Sequence, residues 1–404
     1  MTQSPQNSSP YVSDSEPTAW QNELAPSGLW TSALEKCSPS WKRRRPLVAV
    51  LPGEGIGPEI IAVALRVLKA LERVGGATIQ VETGGLIGKD SERAGLGVLP
   101  GAVVKFCEGV FERGGVVLNG PGGGRYVYDL RRQFDLNLKI SPVQITNGLA
   151  DSSPLKDSLL TGLDLLIVRE NVGGVYQGLS EIAVDAGKQE TVSHTFSYAE
   201  ADVRRFLEGA AHLALQRKCE LTVVYKDSGV PAISALWRRC SESVAKALSV
   251  SLRMVDMDLM AYQLIQAPQS FDVIAAPNLC GDVLADLAAN LLGSRGLSFS
   301  GNFSPQGHAV YQTNHGAAYD LAGKDVANPG GQILSLAMLL RESLGLPQEA
   351  AALEVGLRSV WREGWRTADT ASARGKTLGT KQMGELVAQA AVQSFQTMAT
   401  AAAS

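Results

Sequence analysis

Leu47-Val48-Ala49-Val50-Leu51-Pro52-Gly53-Glu54-Gly55-Ile56-Gly57-Pro58-Glu59 opens with five apolar residues, passes three glycines and enters a segment of helical periodicity that extends to Arg73. An unbroken apolar run describes a strand buried on both faces, and a proline suits the first turn of the helix that follows. Strand, glycine turn and helix in this order form the unit from which parallel sheets are built. The turn has the place of a phosphate loop, but its GxGxG spacing matches neither GxGxxG nor GxxxxGKS/T. Glu82, ending the next strand candidate, is the acid placed to stand in for a ribose ligand. With the glycine pattern wrong, the turn reads as a tight bend with positive φ, not as a Rossmann fingerprint.

Further along, strands are expected at 78–82, 116–118, 163–168, 221–225 and 271–276, and helices at 58–73, 199–216, 282–292, 332–344 and 383–395. This alternation predicts an α/β fold, a parallel or mixed sheet covered by helices. The chain has 404 residues, 45% hydrophobic and 19% charged, enough for two or three structural units with a sizeable core. A formal charge of −3 argues against nucleic acid or an anionic membrane surface as partner. No run approaches the ~18 apolar residues of a membrane span. Cys37, Cys107, Cys219, Cys240 and Cys280 show no metal-ligand spacing and read as thiols in a reducing, cytoplasmic setting. Residues 1–45, rich in Ser, Pro, Gln and Asn, are expected to be a disordered tail. They lack the apolar core of a secretory signal, and Asp14, Glu16, Glu23 and Glu35 do not suit a transit peptide. The basic run Lys42 to Arg45 reads as a solvated boundary rather than a nuclear signal.

Several motifs carry chemistry. In Asn278-Leu279-Cys280-Gly281-Asp282-Val283-Leu284-Ala285-Asp286, Asp282 and Asp286 lie one helical turn apart on one face. Like charges at that spacing repel, and a hard cation such as Mg²⁺ or Mn²⁺ would turn the liability into a site. The alternative is two solvated acids favouring the helix dipole. Arg169 and Glu170 end an apolar strand, and Tyr176 follows in a loop with Gly173, Gly174 and Gly178, where a phenol can serve as a general acid. Lys226 also ends a strand, and Asp256 or Asp258 could supply a third carboxylate. Arg125, Arg131 and Arg132 follow a glycine loop and suit a carboxylate or phosphate. Of the four histidines, His315 alone sits in a conspicuous loop.

Together these motifs resemble the β-decarboxylating dehydrogenases acting on isocitrate, 3-isopropylmalate, homoisocitrate and tartrate or malate. PGEGIGPE is similar to that family's opening turn, with Glu54 where Asp is usual. IVRENVGGVYQG resembles its tyrosine segment, Asn278 to Asp286 its metal helix, and HGAAYDLAGKDVANP its cofactor loop. The resemblance covers the chain from Leu47 to the C-terminal helices. It implies an isopropylmalate-dehydrogenase-like, non-Rossmann fold: a large α/β domain from both chain ends, 46–136 and 292–404, around a smaller central domain, 137–291. It implies that Tyr176 protonates the enol carbon after CO₂ leaves and that Lys226 helps remove the hydroxyl proton. Asp258, Asp282 and Asp286 would be metal ligands, with Lys226 and Asp258 acting across a homodimer with shared sites. Arg131 and Arg169 would bind substrate carboxylates, and Val127 and Tyr128 the C3 substituent. His315, Gly316, Ala317, Ala318, Asp320 and Asn328 would bind the nicotinamide cofactor. An acid at Asp320 repels a 2′-phosphate, so NAD is expected over NADP.

Three further positions depart from the pattern. Ser141 stands where the family has an arginine ten residues after Arg131, and Lys139 is the nearest cation to compensate. Gln312 replaces a usual Glu, and Ala318-Tyr319 replaces Ala-Pro. Val127 and Tyr128 suit an apolar C3 group, whereas Arg125 would suit isocitrate's extra carboxylate. The expected reaction is NAD-dependent oxidative decarboxylation of a 3-substituted malate. The alternatives are isocitrate or homoisocitrate dehydrogenase and a non-catalytic regulatory subunit.

Overall fold

Strand β1 (Leu47–Leu51) is buried along its whole length, and its side chains alternate between two cores. Leu47, Ala49 and Leu51 join a smaller cluster, and Val48 and Val50 a larger one. This is why the sequence shows an unbroken apolar run: both faces of the sheet are covered. The computed structural model describes residues 30–33, 46–146, 148–372 and 375–403. The strands that follow are β2 (Gln80–Thr83), β3 (Val116–Asn119), β4 (Leu138–Gln144), β5 (Asp164–Glu170), β6 (Leu179–Val184) and β7 (Glu190–Thr195). Then come β8 (Glu220–Tyr225), β9 (Ser251–Asp256), β10 (Val273–Ala276), β11 (Phe299–Phe303) and β12 (Ala309–Thr313).

One ten-stranded sheet runs in the order β2-β1-β3-β12-β11-β4-β5-β10-β8-β9. Its first half comes from both ends of the chain and its second half from the middle. The halves meet where β11 runs antiparallel to β4 and β4 antiparallel to β5. Antiparallel strands at the centre, with parallel strands outside them, do not fit the doubly wound dinucleotide order. Parallel alignment of β5, β10, β8 and β9 brings their C-terminal ends to one edge. Arg169, Asn278, Lys226 and Asp256 therefore emerge on the same side of the sheet.

The helix Gly57–Gly75 begins with Pro58 in its first turn and ends at Gly76, whose φ of 72° stops it. The helix expected from 282 begins earlier, at Asn278, directly after Pro277, and ends at Ala289. Both aspartates are thereby moved away from its first turn. Periodicity did not reveal the helices Gly101–Glu112, Pro231–Leu248 and Pro347–Arg362.

Strands β6 and β7 pair only with each other, and every residue of both is exposed. An isolated two-stranded hairpin is marginal in water. This one nevertheless presents Leu179, Ile182, Val184 and Val192 to solvent.

Part of the tail departs from the expected disorder. Trp30–Ala33 form one 3-10 turn, and Trp30 is only 8% exposed. The Thr31 amide donates to the Glu342 carboxylate at 3.1 Å, and its hydroxyl donates to the Glu342 carbonyl at 3.1 Å. The Arg341 guanidinium stacks 5.6 Å from the Trp30 ring. A large aromatic side chain supplies the burial that holds this turn. The basic run Lys42 to Arg45 and the rest of the tail lie outside the described residues. No helix among the described residues is long and apolar enough to cross a membrane. Cys107, Cys219, Cys240 and Cys280 are free thiols.

Candidate active site

Four residues from three elements converge at the sheet edge. Arg169, leaving β5, is 2% exposed and donates from Nε and Nη2 to Asn278 Oδ1 at 3.0 and 2.8 Å. Its Nη1 forms an ion pair with Asp282 Oδ1. The other oxygen of Asp282 accepts the Tyr176 hydroxyl at 2.9 Å. Asn278 Nδ2 donates to the Gly173 carbonyl at 2.7 Å, tying the tyrosine loop to the start of the helix. Gly281 permits this approach, because a Cβ there would lie 2.8 Å from Arg169 Cβ. Burial and the neighbouring Asp282 push the Tyr176 hydroxyl well above its ordinary pKa, so it keeps its proton. Burial alone would raise Asp282, but Arg169, Lys139, Tyr176 and Arg131 hold its carboxyl below the usual range.

Behind this pair lie two more cations. Arg131 is 4% exposed, with its guanidinium 5.5 Å from the Tyr128 ring and its Nε without a partner. Desolvation, with Arg169 nearby, lowers its pKa to about 9. Lys139 is 3% exposed, and desolvation together with Arg131 and Arg169 holds it well below the ordinary lysine value. Tyr128 packs 4.9 Å from the Tyr176 ring, whereas its neighbour Val127 packs against the smaller core cluster. Of the expected substituent pair, then, Tyr128 alone contacts the tyrosine. Arg125 is held at the entrance, with Nε 3.4 Å from Asp129 and Nη2 donating to the Tyr176 carbonyl at 3.1 Å.

Lys226 is placed apart from this group. Its Nζ donates to Asp258 at 2.7 Å and to Asp256 at 2.9 Å, and these two carboxylates raise its pKa. Sequence reading singled out Asp258, yet Asp256 shares the lysine equally. Asp286 pairs with Arg295 at 2.8 Å. No cluster of three metal-ligating side chains is found among the described residues. Asp282 and Asp286 nevertheless offer oxygen donors one helical turn apart, a donor set suited to a hard divalent cation.

The glycine turn proves to be a junction. Glu54, 1% exposed, accepts the backbone N–H groups of Asp90 and Gly123 at 2.6 and 2.5 Å. Burial and the neighbouring Glu54 push the Tyr319 hydroxyl up to about 12, so it stays protonated beside the carboxylate. The Ile56 amide donates to the Ala317 carbonyl at 2.9 Å, docking the turn onto the loop that starts at His315. In that loop His315 Nε2 is buried without a partner, and the space beside Gly316 is open. Ala318 has a φ of 42°, and Asp320 is exposed. An unpartnered ring nitrogen beside open space fits a loop that binds a polar ligand. Asn328 differs: its Oδ1 accepts Gly330 N–H at 2.8 Å and its Nδ2 donates to Asp369 at 3.0 Å, so its side chain anchors the next helix. Glu82 forms a two-point ion pair with Arg113 at 2.7 and 2.6 Å, which occupies it as a ribose ligand. Gln312 accepts from Asn119 Nδ2 at 3.2 Å, and Ser141 accepts from Asn314 Nδ2 at 3.3 Å. Sequence reading missed Asn278 and Glu170 as organising residues; their signal was a polar side chain adjoining an apolar strand.

The family model for isocitrate/isopropylmalate dehydrogenase matches residues 47–387. The 3-isopropylmalate dehydrogenase of Geobacillus kaustophilus is 38% identical over 351 residues, covering 84% of this chain and 93% of that protein. The protein of the same name from a Synechococcus species is 37% identical, covering 88% of this chain and 96% of its own. Among solved structures, isocitrate dehydrogenase from Methylococcus capsulatus superposes with a TM-score of 0.77 at 27% identity, covering 86% of this chain and all of that one. Its sheet order, its tyrosine loop against the aspartate helix, and these matches agree: the chain belongs to the isocitrate/isopropylmalate dehydrogenase family.

Proposed function

We propose that the protein is an NAD-dependent, metal-requiring dehydrogenase that oxidatively decarboxylates a 3-substituted malate to a 2-oxo acid and CO₂. The observation that carries this reading is the Tyr176 hydroxyl held protonated on Asp282 beside the buried Arg131. Asp282 and Asp286, with Asp258 from a second copy, would hold Mg²⁺ or Mn²⁺, and the loop from His315 to Asp320 would hold NAD. When bound, these groups supply Lewis-acid polarisation and a hydride acceptor. Arg131 binds and orients a substrate carboxylate. Tyr176, neutral because burial and Asp282 disfavour its ionisation, delivers a proton to the carbon left electron-rich by loss of CO₂. Lys226 is assigned the hydroxyl proton; it is held here as an ammonium donating to Asp258 and Asp256, so it must first pass a proton to one of these carboxylates before its free amine can take the hydroxyl proton.

The same reading divides the chain at about residues 136 and 291 and makes it a cytoplasmic homodimer with shared sites. Exposed Leu259, Tyr262, Leu279 and Val283, with the apolar hairpin β6–β7, support a covered face beside Asp258. Isocitrate dehydrogenase is the second reading, favoured by the Methylococcus capsulatus neighbour. The deciding assay follows NADH formation with Mn²⁺ across 3-alkylmalates, isocitrate, homoisocitrate and tartrate. Turnover of an alkylmalate without isocitrate supports the proposal, and turnover of isocitrate alone replaces it with the second reading. Silence across the panel from a folded dimer refutes both and favours a regulatory subunit. Sharing is tested by mixing Tyr176→Phe with Lys226→Met and reassembling dimers. Recovered activity is expected, because half the mixed sites are intact, and none would refute sharing.

A further inference from the structure

Arg131 and Lys139 are buried basic groups, and among the described residues neither forms an ion pair; Arg131 Nε has no hydrogen-bond partner, and the Asp282 carboxylate, already paired with Arg169, is the anion that acts on both from nearby. An unpaired buried charge is strongly unfavourable, so the arrangement fits a site whose anion arrives with a ligand. Lys139 lies on β4 directly opposite Arg169 on β5, with Asn302 on its other side in β11. Residues facing each other across neighbouring strands share a face of the sheet, so Lys139 and Arg169 project to the same side. Ser141, two residues along β4, shares that face too, but its hydroxyl is engaged by Asn314.

We propose that Lys139 binds a carboxylate of the substrate and, with Arg131, forms a site for a dianion, so that the preferred substrate is a dicarboxylate with an uncharged C3 group. This rests on the proposed dehydrogenase reading and narrows it. The ammonium enters from one strand pleat before position 141, where the family resemblance leads one to expect a guanidinium. No third unpaired cation is at hand for a tricarboxylate. Arg169 is engaged by Asp282 and Asn278, Arg125 lies beside Asp129, and Arg132 is exposed.

The test is calorimetric titration of the Mn²⁺-loaded full chain with D-malate and with isocitrate. Lys139→Met is expected to weaken D-malate binding by about tenfold or more, the loss of one charged hydrogen bond. Adding Ser141→Arg to that variant is expected to recover part of it. The ligand-free melting temperature of Lys139→Met is expected to equal or exceed that of the wild type, because a buried amine crowded by Arg131 and Arg169 has gone. Wild type is expected to bind isocitrate about tenfold or more weakly than D-malate. Unchanged D-malate affinity in a folded Lys139→Met, equal affinity for isocitrate, or failure of that variant to fold each overturns the proposal. Wild type that binds neither probe overturns the dehydrogenase reading itself and this inference with it. A Lys139→Met variant that binds D-malate as wild type does overturns this inference and leaves the dehydrogenase reading standing.

Discussion

Glu170 sits at the root of the tyrosine loop, and its ionisation should be visible in the stability of the whole chain. It ends β5 at 2% exposure, and its Oε1 accepts the N–H groups of Val172 and Gly173 at 2.7 and 2.8 Å. Its Oε2 is buried with no partner. Burial raises the carboxyl from 4.5 to about 7, the two N–H groups only partly opposing it. An acid raised in the folded state binds its proton more tightly there than in the unfolded chain. Its contribution to folding is therefore harmless below 4.5, worsens as pH rises towards 7, and is constant at its most unfavourable above that. Glu170→Gln keeps an acceptor for both N–H groups and removes the charge. Relative to wild type, the variant should gain about 2 to 3 kcal/mol in unfolding free energy on moving from pH 5 to pH 8. Urea unfolding of both proteins at the two pH values measures this. A difference between the proteins that does not change with pH would refute a buried, reluctantly ionised Glu170.

Other contacts give independent tests. Tyr176→Phe removes the hydroxyl held on Asp282 and is expected to lower turnover by about 10² to 10⁴. Its circular dichroism and melting temperature should stay those of wild type, and a fully active variant sinks the assignment. Gly55→Ala places a Cβ 2.1 Å from the Ala317 carbonyl oxygen at a φ of 57°. It should cost about 1 to 3 kcal/mol and weaken NAD binding, and an unchanged melting temperature would disprove the close junction. Thr31→Val removes the hydroxyl that donates to Glu342 and should cost about 1 to 2 kcal/mol in urea unfolding. No change would mean that the docked turn contributes nothing.

Much of the fold could be read from runs of apolar residues, because strands buried on both faces leave no ambiguity of period. The hairpin β6–β7 could not, since Leu179, Ile182, Val184 and Val192 are exposed in the single chain. The amphipathic helix Pro347–Arg362 was missed too: its apolar positions are diluted by alanines and charges. The site was legible where a motif is continuous in sequence, as with Tyr176, Asp282 and Asp286. It was less legible where function depends on register. Lys139 stands out in the sequence only as the nearest cation to Ser141; its place opposite Arg169 comes from the strand register. Asn278 and Glu54 lay within quoted motifs, but their roles come from backbone groups of distant loops that no spacing rule reveals. Val127 and Tyr128 are adjacent on a helix, and adjacent helical residues do not share a face.

The pairing of charges divides the site into two kinds of group. Asp282 is paired with Arg169, Asp286 with Arg295, and Asp256 and Asp258 share Lys226. Every carboxylate suited to a cation thus has an internal counter-ion, which keeps like charges on one helix face from straining the fold. A cation entering there must exchange existing ion pairs, so its binding is a competition. Among the described residues Arg131 and Lys139 form no ion pair of their own and share the Asp282 carboxylate with Arg169, so an added anion would relieve the cost of burying them. On the proposed reading, substrate and cation would act on different terms of the folding free energy: the first would remove a standing penalty, while the second would replace one pairing by another. That asymmetry would put discrimination among substrates with Arg131 on its helix and Lys139 on β4, and would leave the aspartate helix to hold the cation.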